Sequence, residues 1–145
     1  MKITIEELAP GEEEEIIIRC DTMNDELMKL VKTMKQGNQK MNLYNEGEIF
    51  FLPPEDIYYF ESVDQKVFAY GEQSVYETKS KLYELEMELP AKDFLRATKS
   101  TIINLNKIKS IAPAFGGRFE ALLRNGERVI ISRQYVSDLK EKLGV

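Results

Sequence analysis

The stretch Phe94-Leu-Arg-Ala-Thr-Lys-Ser-Thr-Ile-Ile-Asn-Leu-Asn-Lys-Ile108 carries the reading of this chain. Leu95–Ala97 has the composition of a short strand, and the polar trio Thr98-Lys99-Ser100 interrupts it. Ile102, Ile103 and Leu105 then form an apolar run around Asn104. The neighbours of that asparagine should be buried, so its amide is expected to satisfy loop backbone groups rather than meet a ligand. Ile108–Ala112 reads as the next strand.

Downstream, Phe119–Leu123 and Arg128–Ile131 flank Asn125-Gly126, the strongest two-residue hairpin signal. A closing helix follows, with Ser132 as N-cap, Val136, Leu139 and Leu143 inward, and Gly144 at its end. Upstream, Leu82, Leu85 and Leu89 make the stripe of a short helix capped by Ser80 and ended by Pro90. Before it stand five β-branched or aromatic runs: Met41–Tyr44, Glu48–Leu52, Ile57–Glu61, Val67–Tyr70 and Val75–Thr78. The break at Gly37-Asn-Gln-Lys40 divides the chain into residues 1–40 and 41–145.

Ahead of that break, Ile3 and Ile5 alternate with polar residues, and Ile16-Ile17-Ile18 follows an acidic run. Both predict strands. A helix is expected from an N-cap at Asp21 or Thr22 to Gly37, with Met23, Leu27, Leu30, Val31 and Met34 as a core-facing stripe. Residues 1–40 thus predict a small α/β layer. Cys20 borders its second strand and is expected to be a buried, inert thiol. The overall class is mainly β (α+β), with small antiparallel sheets and a few short helices.

Composition narrows the function. The chain has 145 residues, no histidine and one cysteine, which removes the usual near-neutral base, the commonest metal ligand and any internal disulfide. No phosphate-binding loop, dinucleotide fingerprint or nucleophile elbow occurs. The chain is therefore not expected to be an enzyme and needs no cofactor. It has no signal-peptide core and no run of the roughly 20 apolar residues that span a bilayer, so no membrane insertion and a cytoplasmic location are expected.

The net charge of −5 hides an asymmetry. Residues 1–95 carry 10 Lys and Arg against 21 Asp and Glu, whereas residues 96–133 carry eight basic residues against Glu120 and Glu127. A local basic stretch sets the field felt by a nearby phosphate backbone. The same residues could equally solubilise exposed strand faces.

Four ordered motifs between Leu52 and Leu143 resemble the LytTR DNA-binding domain of bacterial response regulators. Asp56-Ile-Tyr-Tyr-Phe-Glu-Ser resembles its opening strand, and Leu82-Tyr-Glu-Leu-Glu-Met-Glu-Leu its short helix before a proline. The run from Phe94 to Ile108 resembles its most recognisable segment, and Asn125-Gly to Ile131-Ser-Arg its terminal hairpin. The resemblance implies loops that enter successive grooves of one face of bent double-stranded DNA. It places contacts on Lys66 (or Gln65 in the same loop), on Lys99 and on Arg133. Ser100, Thr98 and Ser132 supply hydroxyls suited to phosphate oxygens, and Arg118 follows a Phe115-Gly116-Gly117 hairpin tip.

Arg133 can offer a bidentate fork to guanine O6 and N7, and Lys99 a less rigid version of it. Other roles stay open: Ser132 as a helix cap, Arg133 beside the first helical turn, Lys99 as a solvated loop lysine. Relatives of this kind usually carry a receiver domain, for which residues 1–40 are too short. The N-terminal layer is expected to serve as a homodimer surface, a dock for a regulatory protein, or plain support for the sheet. A stand-alone, sequence-specific DNA-binding transcription regulator is the leading expectation. The alternative is a protein-interaction module that kept the fold without DNA binding, or a small-molecule sensor using the N-terminal layer.

Overall fold

In the computed structural model, which describes residues 2–35 and 40–145, the chain divides into two compact units, Met1–Gly37 and Asn38–Val145. The first unit contains one helix, α1 (Asp25–Lys35). Asn24 rather than Asp21 or Thr22 caps it, accepting at Oδ1 from the amide of Leu27 at 2.8 Å. The expected terminator Gly37, and most of the break that follows it, lie outside the described residues.

The two N-terminal strands are not formed among the described residues, and the predicted α/β layer reduces to α1. Period-2 alternation at Ile3 and Ile5 specifies a strand only where another strand accepts its hydrogen bonds, and residues 2–35 form none. The consequences run through the unit. Ile3, Ile5, Ile16 and Ile17 are exposed, and of the expected stripe Met23, Leu30 and Met34 are exposed while Leu27 and Val31 are half-buried, so the stripe is not a closed core. Cys20 is exposed as well, not buried.

The second unit begins with β1 (Met41–Asn45) and β2 (Glu48–Leu52), then β3 (Tyr59–Val63), β4 (Lys66–Tyr70) and β5 (Val75–Thr78). Helix α2 (Leu82–Glu88) follows, then β6 (Phe94–Thr98) and β7 (Thr101–Asn104). The chain ends through β8 (Ile108–Pro113), β9 (Phe119–Leu123), β10 (Arg128–Ile131) and α3 (Arg133–Leu143). Seven strands form one sheet in the order β2-β1-β5-β4-β3-β7-β6, and three form a second, β10-β9-β8. Every described pairing is antiparallel.

Alternation along β6 and β7 decides the layering. Phe94 and Ile102 face a core with Phe60, Leu43, Ile57 and the α2 stripe Leu82, Leu85 and Leu89. Ala97 and Ile103 face the opposite side, against Ala121, Leu123, Val129 and Ile131 of the second sheet and Leu139 of α3. The β3-β7-β6 part of the large sheet is thus covered on both faces, by a helix on one side and by a sheet with a helix on the other. This burial gives the hydrophobic effect two faces to act on from strands of four and five residues.

Asn104 is fully buried and works as expected. Its Nδ2 donates to the carbonyls of Ile57 at 2.8 Å and Glu55 at 3.3 Å, and its Oδ1 accepts from the amide of Asn106 at 3.0 Å. The α2 cap departs from expectation. Lys81 stands at the N-cap in place of Ser80, and its amide donates to Glu84 Oε1 at 3.0 Å. Because Glu84 reaches back to the cap, no hydroxyl is needed there.

Candidate nucleic-acid interface

Four hairpin and strand ends align along one edge of the second unit, and local hydrogen bonding explains each. The β3–β4 hairpin turns through Asp64 and Gln65, both at positive φ (51° and 67°), which sets Lys66 opposite Val63. The mirror-image geometry of such a two-residue turn matches the twist of the strands it joins. The β6–β7 hairpin turns through Lys99 and Ser100, with Thr98 opposite Thr101. Thr98 Oγ1 accepts from the Ser100 amide at 3.1 Å and lies 3.3 Å from Ser100 Oγ. Both hydroxyls are therefore engaged in shaping the tip as well as displayed by it.

These two tips are joined directly: the amide of Ser62 donates to the carbonyl of Ser100 at 2.8 Å. On the other side of β6, the amide of Ser132 donates to the carbonyl of Ala97 at 2.8 Å. That bond holds the start of α3 beside the Thr98–Ser100 tip. Ser132 occupies the N-cap position, but its hydroxyl makes no capping bond and is left for another partner. Next comes the β8–β9 hairpin, closed by the Ala114 amide donating to the Arg118 carbonyl at 2.8 Å. Its Gly117 faces the aliphatic stem of Arg133.

Lys66, Lys99, Arg133 and Arg118 are thereby gathered on successive ends of one edge, all four exposed. Among the described residues none of the four is in an ion pair. Asp64 is the acidic residue at the β3–β4 tip. Three other basic residues of 96–133 are used differently. Arg96 pairs with Glu86 of α2 at 3.0 Å and also donates to the carbonyl of Lys99, bracing the tip from beneath. Arg128 pairs with Glu120 at 2.7 Å across β9 and β10, and Lys107 lies over the ring of Tyr58. Net charge along the sequence overstated the patch, because three of its eight basic residues fold into structural roles.

Sequence reasoning missed a tyrosine pair on the second-sheet side of β3 and β4. Tyr59 and Tyr70 stack with centroids 4.2 Å apart and planes within 7°. Burial raises the phenol pKa of Tyr59, and the carboxylate of Glu127 raises it further. Burial also raises that of Tyr70, with Glu61, at 3.5 Å from its hydroxyl, adding to the shift. Cross-strand register is the only signal for such a pair, and the register of Tyr59 opposite Tyr70 emerges from the hairpin turn.

Comparison with known proteins agrees with this architecture. A family model described as the LytTr DNA-binding domain matches residues 47–144. A solved LytTr DNA-binding domain from Bacillus cereus superposes with a TM-score of 0.71 at 32% identity, covering 75% of this chain and 100% of that one. The sensory transduction protein LytT of Enterococcus faecalis is 33% identical over 142 residues, which is 95% of this chain and 59% of that protein. LytT of Bacillus anthracis is 35% identical over 106 residues, 73% of this chain and 43% of that protein. The chain therefore spans about half the length of these LytT relatives. The Staphylococcus aureus protein named "Uncharacterized HTH-type transcriptional regulator SAS2254" is 27% identical and matches 100% of this chain over 99% of its own length. Despite that printed name, the helices described here are separated by strands and form no helix-turn-helix. On the family match and the shared fold, this chain belongs to the LytTr DNA-binding domain family.

Proposed function

We propose that the chain is a sequence-specific transcription regulator that lays its hairpin edge along double-stranded DNA, with the inter-strand loops entering the major groove. The observation that carries this reading is the row of four exposed cations, Lys66, Lys99, Arg133 and Arg118, on hydrogen-bonded hairpin and helix ends. Free charge on a rigid edge suits a phosphate backbone, whose neutralisation releases counterions. Arg133 reads a guanine edge through its fork, and Lys99 takes a second base or phosphate. Thr98, Ser100 and Ser132 donate to phosphate oxygens between them. The function requires no catalytic group.

Residues 2–35 supply the second half of the proposal, self-association. Most of their apolar side chains, Ile3, Ile5, Ile16, Ile17, Leu30 and Met34 among them, are exposed, and a homodimer on two half-sites would cover them. The test is fluorescence anisotropy of the full chain on a duplex selected from a random-sequence pool and on scrambled DNA, at two salt concentrations. Selective binding that falls steeply with salt supports the reading. Equal, weak binding to both duplexes overturns it and favours a protein-interaction module. Light scattering of the same samples reports the dimer.

A further inference from the structure

Phe115, at the tip of the β8–β9 hairpin, is 94% exposed, the most exposed large hydrophobic side chain among the described residues. Isolated exposed apolar residues are ordinary on protein surfaces. This one differs in its mounting. The hairpin below it is closed by the bond from the Ala114 amide to the Arg118 carbonyl, and Gly116 and Gly117 turn the tip at φ 76° and 78°. With glycine at both following positions, the ring is the sole bulky group at the tip. Gly117 in turn abuts the stem of Arg133, so the tip is braced against the very residue expected to read a base.

We propose that Phe115 is a wedge that enters between stacked base pairs at one end of the footprint and kinks the duplex; this rests on the DNA-binding reading above. The chemistry suits the task. Unstacking a step exposes apolar base faces that an aromatic ring can cover. Arg118, whose carbonyl closes the hairpin, stands beside the tip to hold a phosphate of the opened step. Leaving a phenyl ring in water forgoes the burial that would otherwise stabilise it, and the kinked step supplies that burial.

The experiment uses the full chain and the pool-selected duplex, labelled at its ends for energy transfer and carrying 2-aminopurine at successive steps. Wild type, Phe115→Ala and Phe115→Leu are compared, with circular dichroism melts confirming that each variant is folded. The wild type is expected to shorten the end-to-end distance and brighten 2-aminopurine at one step. Phe115→Ala should abolish the brightening, relax most of the bend and weaken affinity about tenfold. Its salt dependence should be unchanged, because no phosphate contact is lost. Phe115→Leu should keep most of the bend. Specific binding with the same bend and brightening in Phe115→Ala overturns the wedge alone. Weaker affinity with an unchanged bend also overturns it, in favour of a groove contact to thymine methyls. Failure of the wild type to bind any duplex selectively overturns the DNA-binding reading, and the wedge with it.

Discussion

The side chain of Arg133 fills the space that Gly117 leaves: a β-carbon on that glycine would lie 3.0 Å from Arg133 Cδ and 3.2 Å from Cγ. The glycine also sits at φ 78°, where an L side chain is strained. Gly117→Ala is expected to cost about 1 kcal/mol of stability through backbone strain and to push the arginine stem aside. Selectivity for the chosen duplex should fall more than thermal stability does. Anisotropy and a thermal melt on the same variant check this, and an unchanged selectivity would mean that Gly117 does not position Arg133.

Replacing Asn104 tests the interior rather than the edge. Its side chain answers three backbone groups, and Asn104→Ala removes all three bonds, the buried one to the Ile57 carbonyl among them. A loss of roughly 2–4 kcal/mol is expected, seen as a lower urea midpoint with an unaltered slope. A shift below about 0.5 kcal/mol would show that water replaces the amide at no penalty.

The four cations should separate by role. Arg133→Lys keeps the charge but loses the planar fork, so discrimination against a changed guanine should drop by about 1–3 kcal/mol while the salt slope stays. Lys66→Ala should weaken binding to all sequences alike and lower the salt slope by about one. Competition titrations at several salt concentrations distinguish these outcomes, and identical behaviour of both variants would dissolve the assignment.

The tyrosine pair predicts an alkaline limit. Burial and neighbouring carboxylates raise the phenol pKa of Tyr59 and of Tyr70 above the ordinary value of 10.0. A group whose pKa is raised on folding binds its proton more tightly in the native state. The stability it confers is therefore complete below pH 10 and is lost as pH rises beyond it. Tyr59→Phe should flatten the decline of urea midpoint above that pH, and ultraviolet titration should show one late-ionising phenol fewer. A decline equally steep in wild type and variant would place the alkaline limit elsewhere.

Much of this was legible before the fold was known, and the failures are instructive. The Asn125-Gly126 hairpin, the α2 and α3 stripes and the role of Asn104 follow from local chemistry that tertiary contacts reinforce. Strand β7 escaped notice because Thr101, Ile102, Ile103 and Asn104 are all buried. A strand covered on both faces loses the period-2 alternation that announces it. Its turn, Lys99-Ser100, contains neither glycine nor asparagine and gives no signal. The opposite error occurred at Ile3, Ile5 and Ile16–Ile18, where strand-like patterns exist without a neighbouring strand. Of the candidate interface, the residue types could be named, but that Ser62 bonds Ser100 and Ser132 bonds Ala97 depends on strand order. That order is a long-range property no local pattern contains.

Strand order also sets a ruler. The turns carrying Lys66 and Lys99 hang from the β4-β3 and β7-β6 pairs of one sheet. Their midpoints are two strand spacings apart, about 10 Å. That matches roughly three base-pair rises of about 3.4 Å along a duplex. A lattice of backbone bonds fixes this interval, so side chains at the tips can change without altering it. On the proposed reading the tips are contact points held in a frame of constant pitch. Sequence drift at position 99 should therefore alter which base is preferred there, while its distance from the backbone contact at position 66 stays the same.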